Sequence, residues 1–436
     1  MNKYIKLLWL HLCFVVSDSH GAVDTNMNVE SDLSEDIRAY LAEKTLELAM
    51  KHTLMYNLAD KFPISAGQGH TFKIVKYGRL ALPQSPLTQG TTPSKGAKMV
   101  VTTVTAIADQ WGDFVTLTDI AMLTITHPTL KIANELIAKQ AMETLDRELQ
   151  EALDGATNIQ YADKDNAQVN NSRDDLAAED VLATAELQLT LANLRNSGAP
   201  EFDGNSYKGV VDPSVEMDII NDTTFVTAES YAGVIKLENA EIGKWMGIRF
   251  IRDNFLQTYT ADAAVTAAKD ATVGTLTAVA HDVVVVGRNK QTGFDEVITL
   301  MKNITPDADD SIEVTMPADD DYTYDIYLGT SAAGAKLTSL TDQVANDVVV
   351  VSAVGTGVAA PIAPSADGVK VHNVWVFGKG AFGVTELKYI ERYLTPAKES
   401  DSDPLAQRRK TGWKAYFKGV ILNNAFMRRI ECGSAF

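Results

Sequence analysis

The chain has 436 residues and a formal net charge of −18, with 45% hydrophobic, 22% charged and 8% aromatic residues. That length holds two or three domains with a sizeable core, and the balanced composition excludes general disorder. The acidic excess excludes a protein that wraps or reads nucleic acid tightly, because such binding needs lysine and arginine to neutralise phosphates.

At the N-terminus, Lys3 and Lys6 flank an apolar run, Ile5 to Val16, followed by Ser19-His20-Gly21-Ala22. This is the outline of a secretory signal peptide, and the run is too short to cross a bilayer as a helix. The alternative is a start at Met27, where Met-Asn-Val-Glu-Ser-Asp leads into a helical pattern. Residues 1–26 are therefore read as a signal-like segment or a misassigned extension. Ser34 is placed to cap a helix carrying Ile37, Leu41, Leu46 and Leu48 on one face, ended by Pro63.

Thr71 to Asp119 changes period. Phe72, Ile74 and Tyr77 start one extended run, and Val100, Thr102, Val104 and Ala106 alternate along another. Between them lies a tip with Pro83, Pro86, Gly90, Pro93 and Gly96, plus Lys95 and Lys98. The pattern predicts a long two-stranded ribbon, which is marginal alone in water and must pack on something.

A long helix follows, opened by Pro128 and closed by Gly155, with Ile132, Leu136, Met142, Leu145, Leu149 and Leu153 assigned to one face. Lys139–Glu143 and Arg147–Glu151 pairs sit at i, i+4, and the span is about 40 Å. Asn158 to Asp175 reads as a polar loop, and Ala178 to Asn196 as a second helix ended by Ser197-Gly198. Strands and turns run from Lys208 to Phe255.

Ala261 to Val369 is a different sequence, poor in aromatics, with short apolar runs at Val283–Val286, Tyr322–Leu328 and Val348–Val351 separated by turn residues. It holds 16 acids against 5 bases. Short, regularly spaced strands predict a small all-β, immunoglobulin-like sandwich inserted into a chain that resumes at Lys370.

Chemical motifs are weak. Gly378, Gly380 and Gly383 spell GxGxxG after a strand, but no second strand with an acidic end follows, as dinucleotide binding requires. The seven histidines are scattered, and Cys13 and Cys432 lie at opposite ends outside any metal-ligand spacing. Asp307, Asp309, Asp310 and Glu313, and Asp319 to Asp321, lack the spacing of a calcium loop. No catalytic residue, cofactor site or metal site is assigned.

The most informative stretch is Asp403-Pro404-Leu405-Ala406-Gln407-Arg408-Arg409-Lys410-Thr411-Gly412-Trp413-Lys414, continuing through Ile421-Leu422-Asn423 to Arg429-Ile430-Glu431. It resembles the closing segment of tailed-phage major capsid proteins of the N4 gp56-like family, which are built on the HK97-type shell fold. Glu241-Ile242-Gly243, Ala381-Phe382-Gly383-Val384-Thr385-Glu386-Leu387 and the tip Leu87-Thr88-Gln89-Gly90-Thr91-Thr92-Pro93 are similar to further family stretches, with Gln89 where glutamate is usual. The resemblance implies an α+β architecture. Residues 27–70 would be an N-terminal arm, 71–120 an extended β-ribbon loop, 121–256 with 370–436 the peripheral and axial domains, and 257–369 the insert.

The resemblance further implies a non-enzymatic subunit that assembles with copies of itself as pentamers and hexamers into a virion shell. The shell encloses DNA without reading its sequence and takes no cofactor and no membrane; portal, scaffold or decoration proteins are the other expected partners. Subunit-interface candidates are Leu87, Gly90, Pro93, Lys95 and Lys98 on the loop, and Arg408, Arg409, Lys410, Trp413, Arg428 and Arg429 in the terminal block. A secreted or surface-exposed binding protein is the rival favoured by the N-terminus and the insert. A nucleotide-dependent enzyme rests on GxGxxG alone.

Overall fold

The computed structural model describes residues 54–435, apart from 66–68, 121–128, 165–169, 203–205, 222–240, 272–273, 331–334, 337–339 and 365–368, and parts of 79–97 and 396–406. The signal-like run, the Ser34 helix, Leu87, Pro93 and Lys95 lie outside the described residues. The chain forms two compact units. One takes Lys61–Asp146 and Thr385–Lys418 with the residues up to Asn57; the other takes Arg147–Val384 and Gly419–Phe436 with Leu58–Asp60.

The first unit begins with a short helix α1 (Leu54–Leu58) and strand β1 (Asp60–Pro63), so Pro63 lies in a strand and does not end a helix. The Asp146 carboxylate accepts the Leu54 and Tyr56 N–H groups at 3.0 and 3.4 Å, which satisfies donors that the first helical turn leaves unpaired. Strands β2 (Thr71–Tyr77) and β3 (Val101–Ile107) form an antiparallel pair in the register Thr71↔Ile107 to Tyr77↔Val101, a two-stranded sheet of their own. β4 (Asp109–Thr118) follows at once.

Helix α2 (Thr129–Asp154) spans the stretch expected from Pro128 to Gly155, but its buried face differs from the expected one. Ala133, Ile137, Ala138, Ala141, Met142, Leu145, Leu149 and Leu153 are buried, whereas Ile132 and Leu136 are 42% and 61% exposed. At 100° per residue Leu136 lies half a turn from Leu145. The helix therefore carries two apolar stripes, of which the fold covers the one with Leu145.

In the second unit, β5 (Ile159–Tyr161) opens the stretch read as a polar loop and pairs in parallel near the C-terminus. α3 (Thr184–Asn196) starts later than Ala178, because the preceding residues are engaged otherwise. The Asp180 carboxylate accepts the Ala177 N–H at 2.8 Å, and Val181 bridges to Gly433. Then come β6 (Tyr207–Val211), α4 (Pro213–Asn221), β7 (Glu241–Trp245), β8 (Ile248–Arg252) and β9 (Thr258–Tyr259).

The 257–369 stretch contributes β10 (Thr266–Asp270), β11 (His281–Asn289), β12 (Asp295–Ile304), β13 (Ser311–Thr315), β14 (Tyr322–Gly329), β15 (Ala335–Lys336) and β16 (Val348–Val351). β17 (Val371–Phe377), β18 (Phe382–Thr395), β19 (Arg408–Ile421) and β20 (Met427–Cys432) complete the described chain, and a 3-10 turn at Asn424–Phe426 joins the last two strands.

Long strands β18 and β19 belong to the sheet β1-β18-β19-β4. Period 2 sorts β19 into two faces. Thr411, Trp413, Ala415 and Phe417 are at most 4% exposed. Within the first unit this face meets α2: Thr411 Oγ1 donates to Asn134 Oδ1 at 2.7 Å and Trp413 Nε1 to Gln140 Oε1 at 3.2 Å. Gly412 stands opposite Phe114, where an added Cβ would lie 2.7 Å from the Asp113 carbonyl, so the strands close only around a glycine.

The second unit is organised on a seven-stranded sheet, β5-β20-β17-β6-β8-β7 with β9 on β17. Leu187, Leu191 and Leu194 of α3 and Val215 and Ile219 of α4 share a core with Tyr207, Phe250, Val374 and Ile430 of that sheet. Two further sheets, β10-β13-β16 and β12-β11-β14-β15, lie face to face over Val283, Val285, Ile326, Ile312, Val314 and Val351. This is a β-sandwich, but its order is not that of immunoglobulin constant domains, whose second and third strands sit in different sheets; here β11 and β12 are paired neighbours.

The sandwich is not hung on a linker. Val284 and Val286, on the other face of β11, form a second core with Leu176, Tyr259, Ile298 and Val371. A strand buried on both faces explains why Val283–Val286 reads as an unbroken apolar run.

Candidate functional site

The described residues contain no group of three or more His, Cys, Asp or Glu placed to hold a metal ion. The arrangement most like a catalytic one is Cys432, which pairs across β17–β20 with His372, whose Nδ1 lies 2.9 Å from Asp212 Oδ2. All three are buried, and burial pushes the Cys432 thiol far above its ordinary range. A neutral, enclosed thiol is a poor nucleophile, and the trio serves the core. Gly378, Gly380 and Gly383 lie at and after the turn between β17 and β18, which leads into another strand and not into the helix that a dinucleotide site needs.

The surface is more informative. Of the twenty-six exposed large hydrophobics among the described residues, thirteen fall between Val75 and Leu136. On the ribbon and its flanks Tyr77, Met99, Val100 and Val101 are 52–65% exposed, and Phe114 on β4 is 60% exposed. Both ribbon strands are exposed over most of their length. Apolar exposure concentrated in one stretch of the chain is a feature that interaction surfaces carry.

The terminal-block candidates separate by the face of their strand. Arg408, Lys410, Lys414 and Lys418 project on the face of β19 opposite Trp413; Lys410 lies 5.3 Å from the Phe114 ring centroid, and Lys418 pairs with Asp109 at 3.2 Å. Arg409 belongs to the other face and is partly buried. Trp413 is 4% exposed and bonded to α2, which leaves it no area for a neighbour. Gly90 and Lys98 are exposed. Arg428 is half-buried and borders a cavity of about 310 Å³ with Asn170, Asn193 and Glu186; burial lowers its pKa.

Arg429 is inside the chain, as part of a buried charge network that sequence reasoning missed. Arg173 donates from Nε and Nη2 to the two carboxylate oxygens of Glu431 at 2.8 and 2.7 Å. Arg429 reaches Glu431 at 3.1 Å and Asp154 at 2.9 Å. Arg173 also lies over the Tyr259 ring at 3.6 Å and donates from Nη1 to the Ile362 carbonyl at 2.8 Å. One guanidinium thus joins the C-terminal strand to Tyr259 and Ile362, which flank the sandwich strands in sequence. Burial raises the Asp154 carboxyl to about 6 despite Arg429 beside it. Asp154 closes α2, where the helix dipole also disfavours a carboxylate.

No family model matches the chain, and no curated protein matches it. Among solved structures, the chain is similar to the capsid of Ralstonia phage GP4 at 10% identity, covering 88% of this chain and 92% of that one with a TM-score of 0.48. It is also similar to the capsid of cyanophage P-SCSP1u (12% identity, 88% and 89% covered, TM-score 0.47) and to the capsid asymmetric unit of cyanophage Pam1 (11% identity, 86% and 89% covered, TM-score 0.48).

Proposed function

We propose that this chain is a major capsid protein, assembling with copies of itself into a closed virion shell around double-stranded DNA. The observation that carries the reading is the β2–β3 ribbon, a two-stranded sheet with apolar side chains exposed along it. Such a ribbon is marginal on its own, and a neighbouring subunit is what completes it. The terminal motif block supports the same reading through its resemblance to capsid proteins of the N4 gp56-like family and the HK97-type fold.

Assembly is the mechanism, and it needs no reacting group. The ribbon, with Gly90 and Lys98 at its tip, lies across the next subunit. The exposed Ile132–Leu136 stripe of α2 and the cationic face of β19 take further contacts, the latter against acidic neighbours in a chain of net charge −18. Closed symmetry leaves no contact surface unused. The β-sandwich insert, with 16 acids against 5 bases, projects from the exterior, and the rest of the chain, with 41 acids against 34 bases, is itself acidic enough to keep the shell from adhering to the DNA it holds. No helix among the described residues is long and apolar enough to cross a membrane.

Expression of the chain, and of the same chain begun at Met27, followed by negative-stain electron microscopy tests this. Shells, or pentameric and hexameric rings, are expected from at least one. A persistent monomer at every concentration, with N-terminal cleavage and export, would instead establish the secreted binding protein.

A further inference from the structure

The insert carries an open strand edge. β16 is four consecutive valines at the end of the sheet β10-β13-β16. Its register on β13 runs without a shift from Ile312↔Val351 to Thr315↔Val348, and the Met316 N–H donates to the Asp347 carbonyl at 2.9 Å in the same register. Antiparallel pairing alternates, so Val349 and Val351 turn their main-chain groups to β13 while Val348 and Val350 turn theirs to the open side. Just past the strand the Ser352 carbonyl accepts the Thr275 N–H at 2.9 Å, whereas no main-chain partner for Val348 or Val350 on that side appears among the described residues.

Natural sheet edges are blunted by lysine, proline, bulges or a covering element. This one has none of the first three: no lysine or arginine occurs from Leu337 to Val369, β16 contains no proline, and its register is unbroken. Val348 and Val350 are 50% and 41% exposed, and Val344, Val354 and Val358 before and after them are also exposed. The only charge on the edge is negative. Asp347 Oδ1 accepts the Val348 N–H at 2.9 Å, which places a carboxylate on the open side. A second insert would bring another excess of 11 negative charges to the same line.

We propose that β16 is a docking edge for an extended segment of another protein, added as a further strand and carrying lysine or arginine beside its apolar residues. Main-chain bonds to Val350 would supply the affinity and the valines the alternate side-chain contacts, as in strand addition generally. Asp347 would select a cation. The inference does not depend on shell assembly, since the edge belongs to one chain.

The test uses the full chain and three labelled eight-residue peptides of alternating threonine and valine: lysine-ended, glutamate-ended, and lysine-ended with N-methylated amides. Fluorescence anisotropy should show the lysine-ended peptide binding, the glutamate-ended one about tenfold more weakly, and the N-methylated one not at all. Hydrogen exchange across 347–352 should slow only with the first. Val350→Pro should abolish binding with thermal melting unchanged, because the N–H it removes faces the open side, where edge strands tolerate proline. Asp347→Asn should narrow the lysine-over-glutamate preference. Absence of binding by every peptide, or equal binding of the lysine-ended and glutamate-ended forms, overturns the proposal. So does a dimer in sedimentation that Val350→Pro dissolves, which would make the edge a contact between copies.

Discussion

Glu431→Gln tests whether the buried charge network holds the second unit together. Glu431 is 0% exposed and accepts both Arg173 bonds as well as the Arg429 contact. Glutamine keeps the shape but removes the charge and turns one acceptor into a donor facing a guanidinium. Arg173 and Arg429, each under a tenth exposed, would then share Asp154 alone. Breaking a buried pair from one side costs about 3–5 kcal/mol, a fifth or more of the roughly 5–15 kcal/mol that holds a domain folded.

Trp375 lies 5.5 Å from the Arg429 guanidinium, so tryptophan fluorescence during urea unfolding reports on the site, with far-ultraviolet circular dichroism as the second probe. Arg173→Met combined with Glu431→Leu leaves the Arg429–Asp154 pair balanced and should cost at least about 2 kcal/mol less than the sum of the two single changes. Glu431→Gln costing under about 1 kcal/mol, or simple additivity of the double variant, would refute the reasoning.

Three further outcomes follow from the same geometry. The Asp154 carboxyl titrates at about 6 in the folded chain against an ordinary 3.8, so the folded state binds that proton more tightly. The stabilisation is complete below about pH 4 and lost as pH rises through 6, on the order of 3 kcal/mol in all. Asp154→Asn should remove that part of the slope in melting temperature between pH 4 and 7, and parallel slopes in the two proteins would contradict it. Tyr77→Ser with Val101→Ser, cross-strand partners 64% and 52% exposed, should shift unfolding of the isolated subunit by under about 1 kcal/mol while abolishing shells in electron micrographs; normal shell yield would count against the ribbon contact. Deleting residues 261–369 should leave the remainder insoluble, because it uncovers Leu176, Tyr259 and Val371, worth roughly 5–9 kcal/mol together, and removes Ile362 as acceptor for Arg173. A soluble, assembling deletion would restore the view of the insert as a separable module.

Where residues report their own surroundings, the sequence was readable. Pro128 and Gly155 bracket α2 to within a residue. Alternation marks β2 and β3, and the turn-rich acidic stretch does form two antiparallel sheets. The Arg408–Lys418 stretch also carries its two faces in plain alternation. Apolar stripes were harder: Ile132 and Leu136 fit a helical period as well as Leu145 does, and nothing local says which stripe the fold covers.

Composition, period and turn residues by themselves determined an acidic α+β chain with a long helix, a ribbon and a stretch of short paired strands, because each of those signals acts over a few neighbouring residues. Only the tertiary structure decided which charges are inside. Arg173 and Glu431 are 258 positions apart, and Arg429 looks like its neighbour Arg428 until β20 turns one inward to Asp154 and Glu431 and leaves the other at a cavity wall. The same holds for the insert: its own sandwich core is written in its valines, but the second core that Val284 and Val286 make with Leu176, Tyr259 and Val371 exists only once distant segments meet. Burial of a charge or of a second strand face depends on what arrives from elsewhere in the chain, and no local pattern carries that information.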